Sequence, residues 1–173
     1  RFKADGHHVQ HLTRDAFNEA LKAEFTRPDW SSQQSKYLAW TNKSVDQYNK
    51  AISEICIGRT NFQIGDYVQC NRFYNQGKQS IKTDELVRIS FAGEEEDRHG
   101  VLGRVYTLDG KIKAFCPSSL DEKKKLIRKA RALDDYSLLQ EIEEEWVDLR
   151  TVYACTINKS QGSTYDKVFI DLD

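Results

Sequence analysis

The feature that most narrows the possible folds is a strand–loop–strand pattern spanning residues 151–172. Residues 151–155 form a β-favouring run that leads into Thr156-Ile157-Asn158-Lys159-Ser160-Gln161-Gly162. That polar stretch, with a short helical segment, is followed by a second apolar strand over 168–172. Two strands separated by a polar turn are the way α/β proteins place a ligand site at the carboxyl end of a sheet. The turn offers hydroxyls, amides, an ammonium and a glycine amide, groups suited to a phosphate-bearing partner.

A second corner of the same kind lies upstream. Tyr37-Leu38-Ala39-Trp40 reads as a short buried-type strand, and Thr41-Asn42-Lys43 follow it. Ser44 and Gln47 have capping-box spacing, so a helix is expected there, with Val45, Tyr48, Ile52 and Ile55 on its apolar face. Ahead of this corner, Thr13 is the expected N-cap of a helix carrying Phe17, Leu21 and Phe25 on one side. Arg27-Pro28-Asp29 stops that helix, and a polar loop runs over 30–36.

Between the corners the texture changes at Gly65-Asp66. Short strands are predicted over 68–71, 86–90, 101–108 and 111–116, with loops at 75–78 and at the charged stretch 93–100. Asp109-Gly110 is a hairpin signal, because both turn positions need positive φ. Such closely spaced short strands suggest a small open barrel. Ser119 and Glu122 form another capping box, opening a helical stretch that Asp134-Asp135 should break into an antiparallel pair. The first helix is basic (Lys123, Lys124, Lys125, Arg128, Lys129, Arg131) and the second acidic (Glu141, Glu143, Glu144, Glu145), so the two are expected to attract each other.

The net charge of −1 does not by itself announce a nucleic-acid partner, although local basic patches can still hold phosphate. No apolar run exceeds about four residues, far below the ~20 of a membrane span, and no signal-peptide pattern opens the chain. The sequence contains no methionine, which points to a piece of a longer protein. Cys56, Cys70, Cys116 and Cys155 form no C-x-x-C pair, so zinc is not expected and a reduced, cytoplasmic setting is. His7, His8 and His11 lack neighbouring ligands at metal spacing, so no metal site is expected there.

The run from Thr156 to Gly162 resembles motif V of superfamily-1 DNA helicases of the RecD/Dda type, whose pattern is Thr, any residue, His, Lys, Ser or Ala, Gln, Gly. The one departure is Asn158, which stands where the family has histidine and keeps a donor and an acceptor without the ring. The run from Ala39 to Asn49 resembles the motif IV region of the same family, and Gly65-Asp66-Tyr67-Val68 with Glu85-Leu86-Val87-Arg88-Ile89 resembles its inserted small barrel. The resemblance implies a partial RecA-like sheet, domain 2A, made of residues 1–64 and 151–173. It also implies an SH3-like barrel plus helical pair, domain 2B, over 65–150. Thr41, Asn42, Lys43, Thr156, Asn158 and Lys159 would contact single-stranded DNA, while Gln161, Gly162 and Thr164 would face ATP. The implied partners are single-stranded DNA and an N-terminal RecA-like domain, with 5′-to-3′ translocation.

The chain lacks the G-x-x-x-x-G-K-[S/T] loop that cradles ATP phosphates. Gly77-Lys78-Gln79-Ser80 is the nearest look-alike, but it has no upstream glycine, and Gln79 replaces the magnesium-binding hydroxyl. No catalytic residue is therefore expected within these residues, and ATP with Mg²⁺ would belong to the full-length enzyme alone. The competing expectation is a non-catalytic small-barrel module that binds single-stranded nucleic acid or a protein, with Tyr67, Phe73 and Tyr74 as stacking candidates.

Overall fold

In the computed structural model, which describes residues 9–170, the chain begins with helix α1 (Arg14–Phe25), strand β1 (Ser35–Ala39) and helix α2 (Asn42–Ala51). The last of these runs on as a π-helical segment, Ile52–Ile57. A strand-rich stretch follows, with β2 (Tyr67–Cys70), β3 (Tyr74–Gln76), β4 (Gln79–Ile81), β5 (Leu86–Arg98), β6 (Val101–Leu108) and β7 (Ile112–Pro117). Helices α3 (Leu120–Ala132) and α4 (Tyr136–Glu145) lead to the short strand β8 (Leu149–Arg150). The chain then forms β9 (Ala154–Thr156), the one-turn α5 (Ile157–Ser160) and β10 (Lys167–Ile170). The class is mixed α/β, with five α-helices and three separate sheets among the described residues. Two compact units emerge: Arg1–Thr60 with Tyr153–Asp173, and Asn61–Val152.

The first unit is built on a parallel sheet of order β10-β1-β9. Alternation along the strands puts Tyr37, Ala39, Ala154 and Phe169 on one face, where they meet Phe25, Val45 and Ile52 from the helical segments. Phe17, Leu21 and Phe25, spaced one turn apart, supply the matching stripe of α1, and Thr13 caps it by accepting from the Ala16 N–H. Aromatic packing locks the layer: Tyr37 stacks on Tyr48 at 3.8 Å between ring centroids, and Phe17 meets Tyr37 and Phe169 edge-on. The strands are shifted from their sequence expectations. β1 ends before Trp40, and the expected strand over 151–155 begins only at Ala154. The end of the last expected strand, 171–172, lies outside the described residues, as do His7 and His8.

Helix α2 starts three residues earlier than its expected capping box. Thr41, not Ser44, is the N-cap, with an extended backbone and its Oγ1 accepting from the Ser44 N–H. Both residues can cap, and the tie is broken by where the preceding strand ends.

The second unit centres on an antiparallel sheet of order β7-β6-β5-β2-β8 over a core that includes Val68, Val87, Ile89, Tyr106 and Leu108. Asp109 and Gly110 both take positive φ, 50° and 68°, as the hairpin signal requires. Two expected loops are strand over much of their length. Residues 75–78 close a small hairpin, β3–β4, around Gly77, and the charged stretch 93–100 carries β5 on to Arg98 before a His99-Gly100 turn. Neither segment needs an apolar face, because the backbone ladder and cross-strand neighbours such as Glu95 and Arg104 hold the arm. At Gly103 the sheet admits no side chain, since a Cβ would stand 2.4 Å from the Phe115 ring and 2.5 Å from the Cys116 carbonyl oxygen.

The expected small barrel is not closed. A single bridge between Phe115 and Trp146, with the Val147 N–H donating to the Phe115 carbonyl at 2.8 Å, brings the approach to β8 against β7, but no ladder continues there. The helical pair breaks where expected: Asp134 takes φ 51°, and Asp135 caps α4 by accepting from the Leu138 N–H. Leu126, Ile142 and Trp146 cover Val101, Val105 and Phe115 of the sheet. The acidic groups of α4 turn to the β5–β6 arm rather than to the basic helix, Glu145 pairing with Arg98 at 3.1 Å and Glu141 with His99 at 2.9 Å. The apolar face that seats both helices on the sheet fixes their rotation, and that rotation directs these carboxylates.

Glu24 is 4% exposed and ties α1 to β10 through Lys167 at 2.7 Å, with Arg27 at 3.1 Å. Burial acts to raise the Glu24 carboxyl, but Lys167, Ser35 and Arg27 together outweigh it and hold it below its ordinary 4.5. A carboxylate held low contributes stability that is present above its unfolded value and lost as pH falls through the folded one. Lys167→Met should therefore cost ~1 kcal/mol at pH 7, the half-exposed lysine keeping the loss modest. The gap between thermal melts of mutant and parent should narrow as pH falls below 4.5 and close once Glu24 is protonated in both.

Candidate functional site

The two threonine corners lie side by side. β1 and β9 are parallel neighbours with Ala39 in register with Thr156, so both strands deliver the chain to the same edge of the sheet. Thr41 follows Ala39 after one intervening residue, and Thr156 is itself the last residue of β9.

The same local device is used twice. Thr156 caps α5 by accepting from the Lys159 N–H at 3.3 Å, and Ser160 steadies the turn by donating to the Ile157 carbonyl at 2.7 Å. Thr41 caps α2, and its hydroxyl also meets that of Ser44 at 2.9 Å. Each cap holds the first helical turn so that its amides point toward the shared edge. α2 has ten residues and presents a partial positive end there, to which α5, with a single turn, adds little. Asn42, Lys43, Asn158 and Lys159 are exposed around this edge and Thr156 is half-buried. The result is an edge lined with donors and two ammonium groups, chemistry that suits an anion or a phosphate backbone.

Gln161, Gly162 and Thr164 lie in the exposed loop that returns the chain to β10. Gly162 has φ 82°, a left-handed conformation that explains the glycine, and the Ser163 N–H closes the turn on the Ser160 carbonyl at 3.0 Å. An added Cβ there would meet nothing within 4 Å, so the glycine serves backbone conformation and leaves open space beside it. These residues form an exposed turn and do not by themselves build a cradle for phosphates.

On the other face of the sheet, Lys36 and Cys155 influence each other. Burial pushes the Lys36 ammonium down to about 8, opposed by Cys155. Burial raises the Cys155 thiol, an effect moderated by Lys36, by a hydrogen bond from Tyr165 and by Lys159. Cys155 is thus a thiol at neutral pH, a packing residue more than a nucleophile.

The sequence misplaces one residue that matters to this edge, Trp40, expected at the end of a buried-type strand, and gives no expectation for another, Asn49. Trp40, between the strand end and Thr41, is 80% exposed. Asn49 is buried on α2, and its Oδ1 accepts from the Ala154 N–H at 2.8 Å. It thereby satisfies an edge-strand donor that would otherwise be lost in the core. The signal for Asn49 was a polar residue one turn after Val45 and just before Ile52, inside an apolar stripe.

Among the described residues no group of three or more His, Cys, Asp or Glu is placed to hold a metal ion, and no helix is long and apolar enough to cross a membrane. No protein-family model matches the sequence, and no curated protein is significantly similar to it.

Asn49→Ala would leave the buried Ala154 N–H without its partner, which should cost ~2 kcal/mol in urea unfolding. Asn49→Asp keeps the acceptor and should recover part of that loss. Faster hydrogen exchange at Ala154 in the alanine variant would identify the bond as the cause.

Proposed function

We propose that this chain forms the C-terminal motor half, domains 2A and 2B, of an ATP-dependent superfamily-1 DNA helicase of the RecD/Dda type with 5′-to-3′ translocation. In this reading the parallel sheet with its helices belongs to the RecA-like domain, and the strand-rich unit is the SH3-like insertion. The observation that carries it is the register of Ala39 with Thr156, which sets the two threonine corners abreast at one sheet edge. Thr41, Asn42 and Lys43 then hold the single strand from one corner, and Thr156, Asn158 and Lys159 from the other. The contacts are to the sugar–phosphate backbone, which fixes position and carries no sequence information.

Gln161, Gly162 and Thr164 would flank the ribose and phosphates of ATP. When bound with Mg²⁺, the nucleotide supplies the free energy that opens and closes the motor. A glycine-rich phosphate loop would have to come from an N-terminal RecA-like domain, and no hydrolytic step is assigned to residues of this chain. The 173-residue chain alone should accordingly show no DNA-stimulated ATPase activity.

One observation favours a second reading, in which the strand-rich unit binds single-stranded nucleic acid or a protein without ATP. Tyr67 and Phe73 are 54% and 62% exposed, whereas Tyr74, the third stacking candidate, is buried in the core.

The motor reading is tested at Lys159. Lys159→Ala should weaken single-strand binding alike for all sequences, and should make the slope of log K against log salt shallower by about 0.7, one phosphate's share. The melt should stay within ~0.5 kcal/mol of the parent, because the cap bond uses the backbone N–H and survives the substitution. An unchanged salt slope with a lowered melting temperature would show that Lys159 serves the fold and not the strand.

A further inference from the structure

We propose that Trp40 is a base-stacking platform, so that the edge recognises unpaired nucleobases as well as phosphates. The inference rests on the nucleic-acid reading above and deepens it: the single strand is held through its unpaired bases as well as its backbone, which a duplex or a plain polyanion could not offer.

Trp40 follows directly on β1 and precedes the Thr41 cap, so it stands at the edge to which both corners open. Alternation turns Tyr37 and Ala39 to the helix-packed face and Lys36 and Leu38 to the other, where Leu38 is also buried; Trp40 lies just past the end of the strand and is not covered. The other two tryptophans are used in packing. Trp146 is 3% exposed against Phe115, and Trp30 lies against Phe25 and Tyr153. Trp40 alone is left 80% exposed, and it makes no ring contact among the described residues.

The surroundings identify what would cover the ring. Asn42, Lys43, Asn158 and Lys159 are exposed at the same edge, which favours an anionic chain over an apolar protein segment. A flat aromatic face beside ammonium groups is the pairing that holds single strands, the charges tracking phosphates while the ring takes a base. Every base has a π-face, so this contact tolerates sequence but requires that the base be unpaired. A duplex, with its bases stacked inside, would meet only the charges.

The test compares two oligonucleotides of equal length and charge at low salt: (dT)12 and an abasic 12-mer with the same sugar–phosphate backbone. The 173-residue chain should bind (dT)12 about 10-fold more tightly than the abasic strand, with quenching of the exposed tryptophan fluorescence. W40A should remove that preference and the quenching while keeping abasic binding and the melting temperature. W40F, which retains a smaller ring, should keep part of the preference. Equal affinity for the two strands, or a preference that W40A leaves intact, overturns the stacking proposal but leaves the electrostatic reading of the edge standing. Binding of neither strand overturns both.

Discussion

The parallel pairing of β1 with β9 is the constraint on which the rest of the first unit depends. It joins segments from opposite ends of the chain, and the Asn49–Ala154 bond that secures it spans 105 positions. Parallel neighbours cannot be joined by a tight turn. Here the connection contains α2 and the whole strand-rich unit. Loop-closure entropy rises only logarithmically with length, each doubling costing about 0.6 kcal/mol, so a long connection is a small burden compared with the ladder and core it allows. The stricter demand is on register. A one-residue slip would turn Ala154 out of the core and move Thr156 out of line with Ala39.

Register in this sheet is held by polar groups in places where apolar packing alone would be permissive. Tyr37, Ala39, Ala154 and Phe169 would accept small shifts, but the amide of Asn49 meets only one backbone N–H at 2.8 Å. At the other edge strand, Lys167 reaches the buried Glu24 at 2.7 Å, and a displaced strand would take that cation away from the carboxylate. A buried polar group punishes a wrong arrangement more than it rewards the right one, because leaving it unpaired costs its full desolvation while pairing it gains only a modest net amount. Both edges of the three-stranded sheet are therefore pinned by residues that add little net stability.

This division also explains how much could be read from the sequence. Caps at Thr13 and Ser119, the break at Asp134-Asp135 and the turn at Asp109-Gly110 are legible because each depends on two or three neighbouring residues. The threonine corners are legible for the same reason, and so is the apolar face of α1. The extension of β5 through Gly93 to Arg98 is not, because a charged segment held by its backbone ladder shows no hydrophobic alternation. The start of α2 is ambiguous because Thr41 and Ser44 are both competent caps, and only the end of β1 decides between them. The partners of the acidic helix escape a sequence reading because they depend on how α4 sits on the sheet, a tertiary fact that charge blocks do not encode. Asn49 and Trp40 differ from their neighbours in burial alone, one unexpectedly hidden and the other unexpectedly open.

The threonines themselves are poor witnesses to function, for a reason that lies in the hydroxyl group. A threonine offers one donor and two lone pairs, so accepting from a helix amide leaves the hydroxyl hydrogen and one lone pair, of which the Ser44 hydroxyl already takes one at Thr41. Capping and ligand binding are therefore compatible at both threonines, with less capacity left at Thr41, and loss of either threonine would disturb both at once. Removing a cap costs ~1 kcal/mol and loosens the first helical turn, which would also misplace the exposed groups beside it. A binding defect in such a variant could arise from either cause. Substitutions that spare the cap bonds separate the two. Shortening Lys159 keeps its backbone N–H on Thr156, and Trp40 follows the last residue of β1 and is 80% exposed, so a binding change in either variant does not come from a lost cap. The sheet supplies the positions of the two corners, and the caps supply their shape.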